Sequence, residues 1–139
     1  IEEKIKKIHD YIINHSVYDK GKADAMENNN QTQTTYESDT AMGVLFHGYG
    51  ICSGFSDAME LFLFRFGVEN YKISSPTHIW NLVHMEDGWR HLDLTWDNPI
   101  VNTGEKLLLH DFFLIDTKSL KDLNTSHHNY PENIYQEAK

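Results

Sequence analysis

The hydrophobic pattern of this chain changes period once, and that change limits the possible folds more than any other feature. Before residue 67 apolar side chains recur at helical spacing; after it they form short runs separated by turn signals. Ile1, Ile5, Ile8 and Ile12 make a stripe with Lys4, Lys6, Lys7 and Asp10 on the other faces, which predicts an amphipathic helix over residues 1 to 15. The polar stretch Lys20 to Thr35 reads as an exposed loop. Ser38 is placed to cap a short helix through Ala41, Val44, Leu45 and Phe46 that ends near Gly48. After Cys52, apolar residues on nearly all sides predict a buried central helix with Gly67 as its stop. Three strands follow, Val68 to Ser74, His78 to Met85 and Trp89 to Trp96, the last two joined by the hairpin signal Glu86-Asp87-Gly88. Leu107 to Leu109 and Phe112 to Ile115 predict one or two more strands, and Thr117 to Leu123 a short helix. Helices first and an antiparallel sheet second define an α+β fold.

The chain's 139 residues make one domain, with enough length for a single core. Seven Phe, seven Tyr and three Trp argue against global disorder. A formal net charge of -9 disfavours nucleic acid or an anionic membrane as partner and gives some bias toward basic substrates. Its apolar runs are too short to enter a bilayer as a spanning helix. The chain opens on Ile1 without a signal-peptide pattern, so it is read as a domain cut from a longer product. A single cysteine excludes an internal disulfide and leaves the redox compartment and the localisation open, as the oligomeric state also is.

That cysteine, Cys52, lies in Gly48-Tyr49-Gly50-Ile51-Cys52-Ser53-Gly54-Phe55, at the predicted start of the central helix. There the helix dipole favours thiolate over thiol, and the Cys52 backbone N–H could serve an oxyanion. For a second oxyanion donor only Tyr18, Tyr36 and Tyr49 are candidates. A thiol nucleophile needs an imidazole to hold and return its proton, and a carboxylate to orient that imidazole. His78 and Asp93 or Asp97 supply these groups from the predicted hairpin. With Asp87-Gly88 as a two-residue turn, Glu86 faces Trp89, His84 faces His91, His78 faces Asp97 and Asp93 faces Leu82. His78, Asp93 and Asp97 then share one sheet face. Geometry alone prefers Asp97; a longer loop or a bulge would favour Asp93.

At Gly50-Ile51-Cys52-Ser53-Gly54-Phe55, His78-Ile79-Trp80-Asn81-Leu82-Val83 and Gly88-Trp89-Arg90-His91-Leu92-Asp93-Leu94-Thr95-Trp96-Asp97 the chain resembles the transglutaminase-like superfamily. The likeness is strongest to bacterial transglutaminase-like domains of surface-associated proteins, and covers roughly residues 36 to 116. It implies a papain-like core in which the Cys-bearing helix packs on an antiparallel sheet carrying His and Asp. By carry-over Cys52 is the nucleophile, His78 the general base and acid, and Asp93 the orienting group. The implied activity is acyl transfer on protein or peptide amides through a thioester, with no metal or cofactor and an extracellular or cell-surface setting. Hydrolysis by a protease or amidase is favoured narrowly over protein-glutamine cross-linking. The competing class is a binding or scaffolding module that keeps an enzyme's fold.

Plainer roles stand beside these. A free cysteine is most often a small buried hydrophobe. Asp97, in Asp97-Asn98-Pro99, reads as a turn former. Trp80, Trp89 and Trp96 read as core or cleft walls, and Asp57 and Glu60 as polar-face residues of the central helix. His84 with His91 makes a weak metal pair lacking a third ligand. His127 and His128 read as solvated.

Overall fold

The computed structural model describes residues 1–27, 37–99 and 106–139. Helix α1 spans Glu2–Asn14 and buries Ile5, Ile12 and Ile13. His9, one turn after Ile5, lies in the same stripe and is fully buried. A two-residue parallel pair, β1 (Val17–Tyr18) with β2 (Tyr49–Gly50), ties the end of α1 to the approach to the cysteine. Part of the expected 20–35 loop is helix α2, Lys20–Glu27, begun by Asp19, whose Oδ1 accepts the Lys22 N–H at 3.0 Å. The rest of that loop lies outside the described residues, as does Tyr36.

Ser38 does not cap the short helix that follows; its hydroxyl donates to Asp19 Oδ2 at 2.5 Å. That helix is a π-helical turn over Gly43–His47, closed by Gly48 at φ 74°. Helix α3, Cys52–Arg65, is central but not buried all round: Leu63 is fully buried, whereas neighbouring Phe64 is 82% exposed. Gly67, at φ 72°, ends the helical segment as expected.

The sheet is antiparallel in the order β3 (Asn70–Ser74), β4 (Ile79–Met85), β5 (Gly88–Leu92), β6 (Phe113–Ile115). Leu107 to Leu109 form no strand. The hairpin turn is Glu86-Asp87, so Met85 pairs with Gly88 and His84 with Trp89, two residues away from the expected register. Neither turn residue has positive φ; Gly88 takes that conformation at 124°, which explains the shifted turn. His84 therefore stacks on Trp89, with ring centroids 4.6 Å apart, and the expected His84–His91 pairing does not exist.

Both faces of the sheet are covered. Phe55, Ala58, Met59 and Leu63 of α3, with the α1 isoleucines, pack against Val83 and Leu92. On the opposite face Trp80 and Leu82 meet Phe112, Leu120 of helix α4 (Thr117–Leu123), and Tyr130 and Ala138 of the tail. Covering on both sides explains why β4 reads as a nearly continuous apolar run. The architecture is α+β, as expected.

Candidate active site

The ends of three elements meet at one end of the sheet's inner strands. Cys52 is the first residue of α3, His78 immediately precedes β4, and Asp93 immediately follows β5. Because β4 and β5 are antiparallel, the start of one adjoins the end of the other, and His78 and Asp93 become neighbours there. His78 Nε2 lies 2.7 Å from Asp93 Oδ2, and both residues are buried. Asp97 does not serve His78; it accepts hydrogen bonds from His9 Nε2 at 2.8 Å and the Phe112 N–H at 2.9 Å.

With Nε2 turned to Asp93, the other nitrogen of His78 is left for the Cys52 thiol, which lies near enough to help stabilise the charged ring. Burial disfavours charge on His78, but attraction to Asp93, the hydrogen bond to it, and the Cys52 contacts outweigh burial and lift the pKa to about 9. Asp93 has the complementary shift. Burial opposes its ionisation, yet His78 and His128 together hold its carboxyl below the usual range.

Sequence reasoning missed His128. Its Nε2 lies 2.7 Å from the same Asp93 Oδ2, and the residue is fully buried rather than solvated. Its Nδ1 is 3.1 Å from Asn124 Oδ1, an oxygen that also accepts the His127 N–H at 3.0 Å. Both ring nitrogens of His128 thus face side-chain oxygens. The Trp96 N–H adds a third donor to Asp93, at 3.3 Å on Oδ1. His127 behaves as expected and stays exposed, with Nδ1 3.0 Å from Thr77 Oγ1.

Cys52 and His78 open onto a cleft of about 750 Å³ that is also lined by Tyr18, Trp96, Asn98 and His127. Among the described lining residues none is Asp, Glu, Lys or Arg. Ile51, the N-cap of α3, provides no side-chain cap, so first-turn N–H groups at Cys52 keep their donor capacity. Of the tyrosines considered as oxyanion donors, Tyr18 lines the cleft and Tyr49 is not among its lining residues. Asn98, also unanticipated, is 5% exposed; Lys106 Nζ donates to its Oδ1 at 3.0 Å, while its buried amide nitrogen has no partner among the described residues.

The tryptophans divide between the expected roles. Trp80 is core and stacks on His78 at 5.5 Å; Trp96 walls the cleft. Asp57 and Glu60 pair with Lys72 of β3, as polar-face residues would.

No protein-family model matches the chain, and no curated protein matches it in sequence. A solved structure described as the crystal structure of a TGase does match in three dimensions, with TM-score 0.56 and 22% identity. The fold is transglutaminase-like. The match takes in 66% of this chain and 26% of that neighbour, so the likeness concerns one part of a much longer chain. In this transglutaminase-like fold the catalytic assignment rests on side-chain chemistry, because a distant structural likeness carries architecture and not activity.

Proposed function

We propose that the domain catalyses thiol-dependent acyl transfer on protein or peptide amides, with Cys52 as nucleophile, His78 as general acid and base, and Asp93 as orienting group. The observation that carries this reading is the His78 ring, bonded through Nε2 to Asp93 Oδ2 at 2.7 Å and lining the same open cleft as the Cys52 thiol. Cys52 Sγ attacks the amide carbon and forms a C–S bond. The C–N bond then breaks, and ammonia or an amine leaves with a proton from His78. In the second step His78 takes a proton from the acceptor, whose oxygen or nitrogen bonds to carbon as the C–S bond breaks. The Cys52 N–H faces the developing oxyanion.

Water as acceptor makes the domain an amidase or protease, the reading preferred here. A cleft lining without Asp, Glu, Lys or Arg among the described residues fits a neutral amide-bearing segment. The TGase likeness favours a second reading, in which a lysine amine is the acceptor and the product is an isopeptide cross-link.

Iodoacetamide tests the nucleophile first. Cys52 should alkylate faster than a free model thiol at neutral pH, and His78→Ala should slow it by roughly tenfold or more by removing the partner that favours the thiolate. An alkylation rate equal to the model thiol's and indifferent to His78→Ala overturns the enzyme and leaves a binding module. Incubation with a glutamine-bearing protein and a labelled primary amine then separates acceptors. Ammonia release without amine incorporation supports hydrolysis; incorporation that vanishes in Cys52→Ala establishes transfer instead.

A further inference from the structure

A second group of titratable side chains lies away from Cys52, where α1 meets the loop before β6. His9 Nδ1 is 2.8 Å from Asp10 Oδ1, and His110 Nε2 is 2.7 Å from that same oxygen. The three ligand-type atoms lie within 4.8 Å of one another. We propose that His9, Asp10 and His110 bind a divalent transition-metal ion of the zinc class.

Three observations carry the proposal. The donor set is two imidazoles and one carboxylate, which suits zinc and its neighbours and not calcium or magnesium, whose sites are built of oxygens. The distal nitrogen of His9 is held by Asp97, with His9 Nε2 2.8 Å from Asp97 Oδ2 and both side chains fully buried. A carboxylate behind a ligating histidine fixes the tautomer and the ring plane and raises the basicity of the coordinating nitrogen. The site is also reachable: His9 is enclosed, but the side chains of Asp10 and His110 are 28% and 38% exposed. This leaves a solvent-facing position for a fourth ligand, water.

The geometry needs little adjustment. Ligand atoms about 2.1 Å from a tetrahedral zinc are about 3.4 Å apart. The hydrogen-bonded contacts of 2.7 and 2.8 Å must therefore open by well under an ångström, a rotation within reach of a half-exposed aspartate. Zinc would take the place of the protons now shared in these contacts, so binding would release protons and weaken as pH falls. It would also clamp the turn behind the candidate active site, because the Asp97 N–H donates to the Asp93 carbonyl at 3.2 Å.

The test uses the Cys52→Ser protein, which removes the thiol as a competing ligand and does not depend on the proposed catalysis. Titration calorimetry with zinc should give one site of micromolar or tighter affinity. Saturating zinc should raise Tm by roughly 5–10 °C, while calcium and magnesium should have no effect. His110→Ala, at an exposed position, should abolish the rise, and Asp97→Asn should weaken binding by roughly 10- to 100-fold. A zinc response that survives His110→Ala would locate the ion elsewhere, for example at His78, Asp93 and His128, and would overturn the proposal. Absence of micromolar binding to the folded protein would do the same. Should Asp97→Asn fail to fold, the His110→Ala comparison decides alone.

Discussion

Asp93 gathers more hydrogen-bond donors than an orienting carboxylate needs. Two imidazoles meet on one oxygen and a backbone N–H on the other, all in a buried setting. Paired charges survive burial only when their hydrogen bonds are complete, so removing one donor should cost more than the bond itself. His128→Ala should destabilise the domain by about 2–3 kcal/mol in urea unfolding, whereas His127→Ala should cost less than about 0.5 kcal/mol. Equal effects of the two substitutions would show that the Asp93–His128 contact contributes little. Nothing local in His127-His128 tells which ring turns inward; the answer depends on how the tail crosses the sheet. His9 was more legible. It stands four residues after Ile5 and three before Ile12, inside the apolar stripe that predicts α1, and a polar residue so placed needs a buried partner. That the partner is Asp97, 88 positions away, had no local signal.

At the scale of elements, the hairpin shows how a wrong register can still give the right face. The turn is Glu86-Asp87 rather than Asp87-Gly88, which moves every pair by two residues. Side chains alternate with a period of two, so a slip of two changes partners but keeps faces. His78 and Asp93 therefore remain on one side of the sheet under both registers, and the end of β5 at Leu92 settles which aspartate reaches the imidazole. Helix α3 depends on a close approach that its glycines permit. A Cβ on Gly54 would lie 2.1 Å from the Ser38 carbonyl oxygen, which is already held by the Ile51 N–H at 3.0 Å. Gly54→Ala should thus cost about 3 kcal/mol or more and displace the start of α3, Cys52 included. Gly67→Ala should cost about 1 kcal/mol, from its positive φ alone, since nothing lies near its Cβ position. Chemical denaturation of both variants checks the contrast, and a mild Gly54→Ala would mean that the 38–44 segment yields easily.

For the whole molecule, two buried histidines with opposite shifts set the pH dependence of stability. His91 accepts the Trp80 indole N–H on Nδ1 at 3.0 Å, which requires a neutral ring; burial and the nearby His128 charge lower its pKa to about 4. Between the ordinary 6.5 and 4 the unfolded chain binds a proton that folded His91 refuses, so stability falls as pH drops through that window. His78 has the reverse sign. Its contribution is complete below 6.5 and is lost as pH rises through about 9. Asp93 adds a loss only at lower pH, as pH falls from 3.8 through its depressed value, and Asp97, raised by burial despite its bond to His9, partly offsets the acid limb. Unfolding free energy should therefore peak near pH 6.5, each limb amounting to on the order of 2–3 kcal/mol. Urea unfolding from pH 4 to 9 measures the dome, and His91→Gln should flatten its acid side only. A profile that rises steadily from pH 6.5 to 9 would contradict the His78 assignment.

Much was available without coordinates because it depends on short-range chemistry. Helical spacing in α1, the glycines around Cys52, Gly67 as a stop, the hairpin position and helix α4 are set by steric preferences of a few neighbouring residues. Those signals also placed Cys52 at the start of α3, whereas His78 and Asp93, expected within the hairpin strands, flank them. Tertiary structure decided what must be closed over long separations. It brought the tail's His128 to Asp93, gave Asp97 to His9 instead of His78, and set Asp10 beside His110. Each of these contacts is a polar pairing whose partners are chosen by chain topology, and no local window of sequence contains both members of Asp93–His128, His9–Asp97 or Asp10–His110.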